Sequence, residues 1–239
     1  MPSRGFQTAA STLAGVGRRF YARGWVLGTS GNFSAVVSKR PLQLAISASG
    51  TSKRVIGAGD FLCCDDRGRA IGRAAGKIGG SRRAALSGLP RKPSAETLLH
   101  VEIVRQRGAS AVLHTHSVWG TMLSDRWAPQ GGVAIEQYEM LKGLAGVTSH
   151  DHREWIPILD NDQDMTRLAG SVRDTLSRHP DAHAFLLRRH GLYTWGNSLD
   201  EAERHIEILE FLFEAIGRAR AGGPGRPDAE MDHGSRPHP

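Results

Sequence analysis

The stretch Ala111–His116 constrains the fold more than any other part of this chain, because an apolar run of strand character ends there in two histidines. On a β-strand the side chains of residues i and i+2 project from the same face, about 6 to 7 Å apart. His114 and His116 can therefore approach one metal ion together. A second apolar strand, Ala184–Arg188, leads into His190. We expect the two strand ends to meet in one sheet and to place the three histidines around a metal.

The alternative for such a histidine pair is an exposed strand edge, and the chain provides an internal comparison. His150 and His152 have the same spacing, but no apolar run precedes them, which predicts a solvated loop. His100 and His205 lie in helical patterns and are expected to be surface or packed residues rather than ligands. The strand-end histidines are therefore the ligands that the sequence favours.

The length and composition of the chain indicate a single hydrophobic core. With 239 residues and 39% hydrophobic content, we expect a single domain over residues 1–220 and a disordered tail over residues 221–239. No apolar segment approaches the about 20 residues needed to cross a bilayer, and the N-terminus lacks a signal-peptide core. We therefore expect a cytoplasmic protein without a membrane partner. Cys63 and Cys64 are adjacent, which predicts strand residues in a reducing compartment rather than a disulfide.

The formal net charge of +7 is concentrated in the segment Arg67–Lys92, which has no acidic residue. This segment also has no aromatic residue on which a base could stack, so its composition predicts a mobile, solvated loop rather than a nucleic-acid-binding surface. The alternative is that the positive charge of this segment attracts an anionic substrate.

The hydrophobic periodicity predicts helices that alternate with short strands. The predicted helices are Thr8–Arg23, Ala95–Arg107, Asp164–Arg178 and Ser198–Arg218. The predicted strands are Asn32–Val37, Leu42–Ser47, Asp60–Asp65, Ala70–Gly72, Ala111–Thr115, Ala184–Arg188 and Tyr193–Trp195. Helices interleaved with a largely antiparallel set of strands favour a layered α/β fold.

Two turns rich in glycine and hydroxyl residues are candidates for an anion site. Gly28–Ser34 and Ser47–Lys53 each place small residues and free backbone N–H groups at a strand end, which suits a phosphate. Neither has the spacing of a Walker loop, and a plain tight turn is the alternative for each.

Taken together, these motifs resemble the class II aldolase/adducin family. The resemblance rests on Gly28–Ser34, Ser47–Lys53, Pro93–Glu96, His114–His116 and Arg189–Gly191, which follow one another in the family's order. It extends over about Thr8 to Gly217. It implies a three-layer α/β/α fold with a central, mostly antiparallel sheet, assembled as a homotetramer. It also implies one zinc ion per subunit, held by His114, His116 and His190.

Within the family, the segment Glu139–Leu144 resembles members that dehydrate 5-methylthioribulose 1-phosphate in L-methionine salvage. The resemblance therefore implies a small phosphosugar substrate and no nucleic-acid partner. It also implies that Glu139 is the acid/base, and we expect its pKa to be tuned by burial beside the zinc. An aldolase or epimerase acting on another phosphosugar is the alternative, followed by a non-catalytic adducin-like binding module.

Glu96 has two possible functions, one at the metal centre and one in the helix. It lies where related aldolases place a carboxylate associated with the metal, and it could also abstract the proton, but an acidic residue early in a helix can equally serve the helix dipole. For the substrate phosphate, the expected ligands are Ser30, Asn32, Ser49, Gly50 and Ser94.

Overall fold

The computed structural model describes residues 3–71 and 91–221. Most of the basic segment Arg67–Lys92, the last residue of the predicted strand Ala70–Gly72 and residues 222–239 of the predicted tail lie outside the described residues. Within the described part, Ala70 pairs with Cys64 only as an isolated bridge, so this pair of strands is shorter than predicted.

Five helices and eight strands form the described fold. The helices are α1 (Arg4–Ala22), α2 (Thr97–Arg107), α3 (Val118–Arg126), α4 (Met165–Arg178) and α5 (Leu199–Ala221). The strands are β1 (Asn32–Lys39), β2 (Leu42–Ser47), β3 (Phe61–Asp65), β4 (Ala111–Thr115), β5 (Gly132–Ile135), β6 (Glu154–Leu159), β7 (Ala184–Leu187) and β8 (Gly191–Gly196). Sequence periodicity did not predict α3, β5 and β6, and it placed the start of α2 two residues too early, at Ala95.

The eight strands form one sheet in the order β3-β2-β1-β4-β8-β7-β6-β5. Every neighbouring pair is antiparallel except β6 and β7, which are parallel. The predicted α/β class with a mostly antiparallel central sheet is therefore confirmed.

Helices cover both faces of this sheet. Alternate residues of β4 belong to two separate cores, because successive side chains of a strand point to opposite faces. Leu113 packs in a core with residues of α1, α3 and α5, whereas Val112 packs in a core with residues of α2 and α4. The predicted three-layer arrangement is thus confirmed. No helix in the described part of the chain is long and apolar enough to cross a membrane.

The register of β4 against β8 positions the candidate site. His114 lies opposite Tyr193, and Thr115 lies opposite Leu192. The short turn from β7 to β8 contains His190, so this residue reaches the end of β4 as the sequence predicted. The turn approaches β4 so closely that a Cβ atom on Gly191 would lie 1.9 Å from the carbonyl oxygen of Thr115. Glycine is therefore required at this position.

Candidate metal centre

Three histidines converge at the carboxyl end of β4. His114 Nε2 lies 2.8 Å from His116 Nε2 and 3.3 Å from His190 Nε2. One nitrogen from each ring lies within 4.8 Å of the other two, which is close enough for all three to bind one ion. The prediction that His114, His116 and His190 meet is therefore correct.

The ring of His114 is held in the orientation that a metal ligand needs. Its Nδ1 lies 2.9 Å from the carbonyl oxygen of Leu192 and donates a hydrogen bond to it, which leaves the lone pair on Nε2. The ring of Tyr193 stacks on it, with centroids 3.8 Å apart and planes inclined by 12°. The neighbouring strand β8 therefore fixes both the tautomer and the plane of His114.

Burial keeps the three imidazoles neutral. It lowers the pKa of His116 to about 3 and the pKa of His114 well below its usual value, and the mutual proximity of the histidines adds to both shifts. Burial also lowers the pKa of His190, although the charge of Glu96 opposes it. Neutral imidazole is the form that binds metal ions, so the site is ready to accept a cation at neutral pH.

Glu96 directs its carboxylate at the histidines. It is the residue before the first turn of α2, and its Oε1 lies 3.2 Å from His190 Nε2 while its Oε2 lies 3.5 Å from His114 Nε2. The Asn32 amide donates to Oε2 at 2.5 Å. This geometry favours a function of Glu96 at the metal centre over a function that is limited to the helix dipole.

A buried chain of hydrogen bonds positions Asn32. Its Oδ1 is in contact with His100 Nε2, whose other ring nitrogen lies 2.7 Å from the Ser34 hydroxyl. Both ends of the Asn32 amide are therefore engaged, but its nitrogen has two N–H groups and only one donates to Glu96. Phosphate binding by Asn32 stays a prediction. His100 is packed, as predicted, and burial lowers its pKa to about 3.

The two glycine-rich turns lie side by side next to the histidines. The Lys53 ammonium, which belongs to the second turn, donates to the carbonyl oxygen of Thr29 in the first turn at 3.1 Å. Gly31 approaches β4 so closely that a Cβ atom there would lie 2.6 Å from the carbonyl oxygen of His114. Lys53 is almost fully buried, and burial lowers its pKa to about 8. A positive charge therefore lies beneath both turns.

The remaining expected phosphate ligands fall on these turns and the adjoining segment. The backbone N–H of Ser49 donates to the carbonyl oxygen of Lys92, and Ala48 pairs with Pro93, which brings the second turn close to Ser94. Gly50 is exposed and has a positive φ of 71°. The Ser30 hydroxyl donates to the Leu27 carbonyl oxygen at 2.7 Å. These residues offer an exposed rim of hydroxyl and backbone groups beside the histidines.

Glu139 is not part of this cluster within one subunit. It lies in a short 3₁₀ helix, Glu139–Gly143, and its side chain is 71% exposed. Its carboxylate pairs with Lys142, and this hydrogen bond lowers its pKa. The expected burial of Glu139 beside the zinc is therefore wrong for the isolated chain. The segment that carries Glu139 packs against α5, where the Arg204 guanidinium donates to the Gly143 carbonyl oxygen, and the Glu139 side chain contacts Lys142 and His150 instead of the histidines of the cluster.

Sequence reasoning missed several residues that support the site. It left open whether Lys53 adds positive charge to the second turn or lies exposed, and it gave no separate role to Tyr193 or Ser34. Lys53 follows a serine- and glycine-rich turn like many exposed lysines, so no local signal marks its burial. The position of Tyr193 two residues after Gly191 was visible, but its contact with His114 depends on the β4–β8 register.

The fold and the three histidines define a recognised class of protein. The class II aldolase and adducin N-terminal domain family matches residues 11–216, and the chain belongs to this family. Its curated relatives include two methylthioribulose-1-phosphate dehydratases. The one from Pseudomonas fluorescens is 42% identical over 89% of this chain and 93% of its own length. The one from Methylococcus capsulatus is 43% identical over 87% of this chain and 93% of its own length.

The fold is also similar to that of solved structures. The L-fuculose-1-phosphate aldolase from Thermus thermophilus matches with a TM-score of 0.68 at 23% identity, over 94% of this chain and 100% of its own. At this level of identity the similarity concerns the fold alone.

Proposed function

We propose that this chain dehydrates 5-methylthioribulose 1-phosphate to 5-methylthio-2,3-dioxopentyl 1-phosphate in L-methionine salvage, with zinc as cofactor. The proposal rests above all on the identity of more than 40% that it shares, over most of both chains, with dehydratases of that name. The same proposal includes a cytoplasmic location, a small phosphosugar as the partner, and no nucleic-acid or membrane partner.

The donor set fits zinc. Three neutral imidazoles leave one position of a tetrahedral coordination sphere open, as catalytic zinc sites require. A hydrogen bond and ring stacking orient His114, one of the three. We propose that His114, His116 and His190 hold one zinc ion per subunit. When bound, such an ion would polarise the ketone at carbon 2 of the substrate and acidify the hydrogen at carbon 3.

The residues of the chain would then move protons and hold the substrate. Removal of the carbon 3 hydrogen and departure of the carbon 4 hydroxyl as water leave an enol, which rearranges to the dicarbonyl product. Glu96 is the carboxylate that lies beside the histidines, and Asn32 holds it there. A Glu96→Gln variant separates its two roles: loss of bound zinc would identify a ligand, whereas loss of turnover with zinc retained would identify the base.

We propose that Glu139 is the second acid/base and that it acts on a neighbouring subunit. Its carboxylate is exposed and ionised, and among the described residues it contacts Lys142 and His150 rather than the three histidines. A homotetramer would allow this surface to face the site of another copy. The proposed role of Glu139 thus depends on assembly.

Mixed oligomers test this arrangement. Glu139→Gln and His116→Ala subunits should each be inactive alone, and hybrids should regain activity because some sites then combine intact histidines with an intact Glu139. Glu136→Gln, which changes another exposed carboxylate before the same segment, is the matched control and should stay active. Hybrids that assemble without regaining activity would exclude catalysis by Glu139 across the interface.

We propose that the phosphate binds at the rim formed by Ser30, Ser49, Gly50 and Ser94. The buried charge of Lys53 beneath the two turns supports this assignment, because it provides a positive potential for an anion. Asn32 belongs to the same proposal, because one N–H of its amide nitrogen donates to Glu96 and the other is left for the phosphate.

Mass spectrometry of the products tests the function. Zinc-loaded protein and 5-methylthioribulose 1-phosphate should yield a product lighter by one water. A His114→Ala/His116→Ala variant should give none, and His179→Ala, at the end of α4, should react normally. Carbon–carbon cleavage would instead identify an aldolase, which is the alternative that the family allows.

A further inference from the structure

A second group of metal-binding side chains lies at the other end of strand β7. His152, Glu154 and His183 each offer one ligand atom, and these atoms lie within 4.8 Å of one another. Glu154 begins β6 and His183 immediately precedes β7, and because these strands are parallel their first residues meet at the same edge of the sheet. His150–His152 lie in a turn, as predicted, but the ring of His152 reaches Glu154 at the start of β6.

The carboxylate of Glu154 is the centre of this group. Its side chain is only 1% exposed. One oxygen, Oε2, lies 2.8 Å from His152 Nε2 and 2.9 Å from His183 Nδ1, while the other, Oε1, accepts from the backbone N–H of His183 at 3.1 Å. A single carboxylate oxygen therefore faces two imidazole nitrogens.

The backbone fixes which nitrogen of His183 faces the carboxylate. His183 Nε2 lies 2.8 Å from the carbonyl oxygen of Ala145 and must donate to it. Because Oε2 of Glu154 can only accept, Nδ1 donates to it when no ion is bound. A bound cation would replace this proton and take the Nδ1 lone pair. A histidine held by a carbonyl through one nitrogen and directed at a common point through the other is typical of metal ligands.

A solvent-accessible cleft gives access to this group. It has a volume of about 460 Å³, and His152 and His183 line it. Arg107 also lines the cleft and opposes a cation, whereas Asp181 and Glu201 favour one. We therefore expect a cation to bind here more weakly than among the three neutral histidines of the first centre.

We propose that His152, Glu154 and His183 form a second site for a divalent transition-metal cation such as Zn²⁺ or Co²⁺. Two imidazoles and one carboxylate are a donor set that such ions accept, and the cleft leaves the remaining coordination positions to water or a small ligand. This site is separate from the first, because His183 precedes and His190 follows β7, whose four residues span about 13 Å. A bound ion would connect the loop that carries Ala145 and His152 to the sheet.

Counting bound metal in the full chain tests the proposal. After equilibration with Zn²⁺ and removal of free ion, wild type should hold two equivalents. His152→Ala should hold one, because the side chain is 30% exposed and its removal spares the fold. His150→Ala is the matched control, since it removes the other histidine of the same motif, and it should hold two.

Two further readouts separate this site from the first. The His114→Ala/His116→Ala variant should still hold one equivalent, and Zn²⁺ should raise its Tm, whereas adding His152→Ala should abolish both effects. His152→Ala alone should retain dehydratase turnover. A wild type that saturates at one equivalent, or a His152→Ala protein that still holds two, would overturn the second site without affecting the proposed reaction.

Discussion

The side-chain amide of Asn32 donates to Glu96 Oε2 at 2.5 Å and thereby fixes the carboxylate that faces His114 and His190. Asn32 is the first residue of β1, and Glu96 precedes the first turn of α2, so the contact joins two segments far apart in sequence. Asn32 is therefore a positioning residue, and a carboxylate fixed in advance needs less ordering when substrate binds.

Replacement of Asn32 by Leu should slow turnover while zinc stays bound. Leucine has a similar size but removes the hydrogen bond to a charged group, which typically contributes about 1.5 to 3 kcal/mol, so kcat should fall by about 10- to 150-fold. The three histidines are unchanged, and zinc content should match wild type. Asn197→Leu makes the same change at an exposed position after β8 and should be fully active. Unchanged kcat in Asn32→Leu would contradict the positioning role.

The sequence allowed the three histidines to be predicted because they lie at or just after the ends of two short apolar runs, which form the buried strands β4 and β7. The hydrogen bonds that support these histidines could not be predicted in this way. Lys53 is buried because two distant turns meet, and the Asn32 amide is fixed because His100 and Glu96 pack against it. Such contacts depend on tertiary packing, for which no local pattern exists.

The failure to predict α3, β5 and β6 from the sequence also has physical reasons. β6 contains Pro157, which argues against a strand in a local reading, although the structure accommodates it opposite Gly132 of β5. α3 has only nine residues and includes Gly120, so its periodicity is weak. Glu139 illustrates a different limit, because the role proposed for it on a neighbouring subunit cannot be deduced from the contacts within one subunit.

Gly191→Ala should weaken both the fold and the metal centre. The new Cβ atom would lie 1.9 Å from the Thr115 carbonyl oxygen, so the end of β4 and the turn that carries His190 would have to separate. We expect a loss of about 1 to 3 kcal/mol or more in unfolding free energy and a lower zinc affinity. Gly170→Ala in α4, with no atom near the new Cβ, should instead stabilise by up to about 1 kcal/mol. Denaturant unfolding measures the change in stability, and zinc titration measures the affinity. Normal zinc affinity in Gly191→Ala would contradict the predicted effect on the metal centre.

Truncation of Tyr193 should loosen His114. The tyrosine ring stacks between His114 and Phe185, with centroids 3.8 Å and 4.9 Å away, and it is fully buried. Tyr193→Ala should therefore cost about 3 to 5 kcal/mol of stability through the cavity it leaves, and it should weaken zinc binding because His114 loses its stacking partner. Tyr193→Phe keeps the ring and should lose less than about 1.5 kcal/mol. Equal zinc affinity in the two variants would show that stacking does not orient His114.

Glu210 should make stability fall as the pH rises. It lies on α5 and accepts a hydrogen bond from Thr115 at 2.6 Å, and burial raises its pKa to about 7, although the hydroxyls of Ser117 and Thr115 oppose this shift. The native state therefore retains a proton that the unfolded chain has already released at pH 5 to 7. Linkage makes unfolding easier over this interval, by about 2 kcal/mol between pH 5 and pH 8.

Glu210→Gln isolates this contribution, because the amide keeps the shape of the side chain but does not titrate. Relative to wild type, the variant should gain stability at pH 8 compared with pH 5, as measured by urea unfolding at both values. Glu214→Gln on the same helix changes an exposed carboxylate paired with Arg218 and should show no such difference. If the stability difference between wild type and Glu210→Gln were the same at pH 5 and pH 8, the carboxyl group would not be the source of the pH dependence.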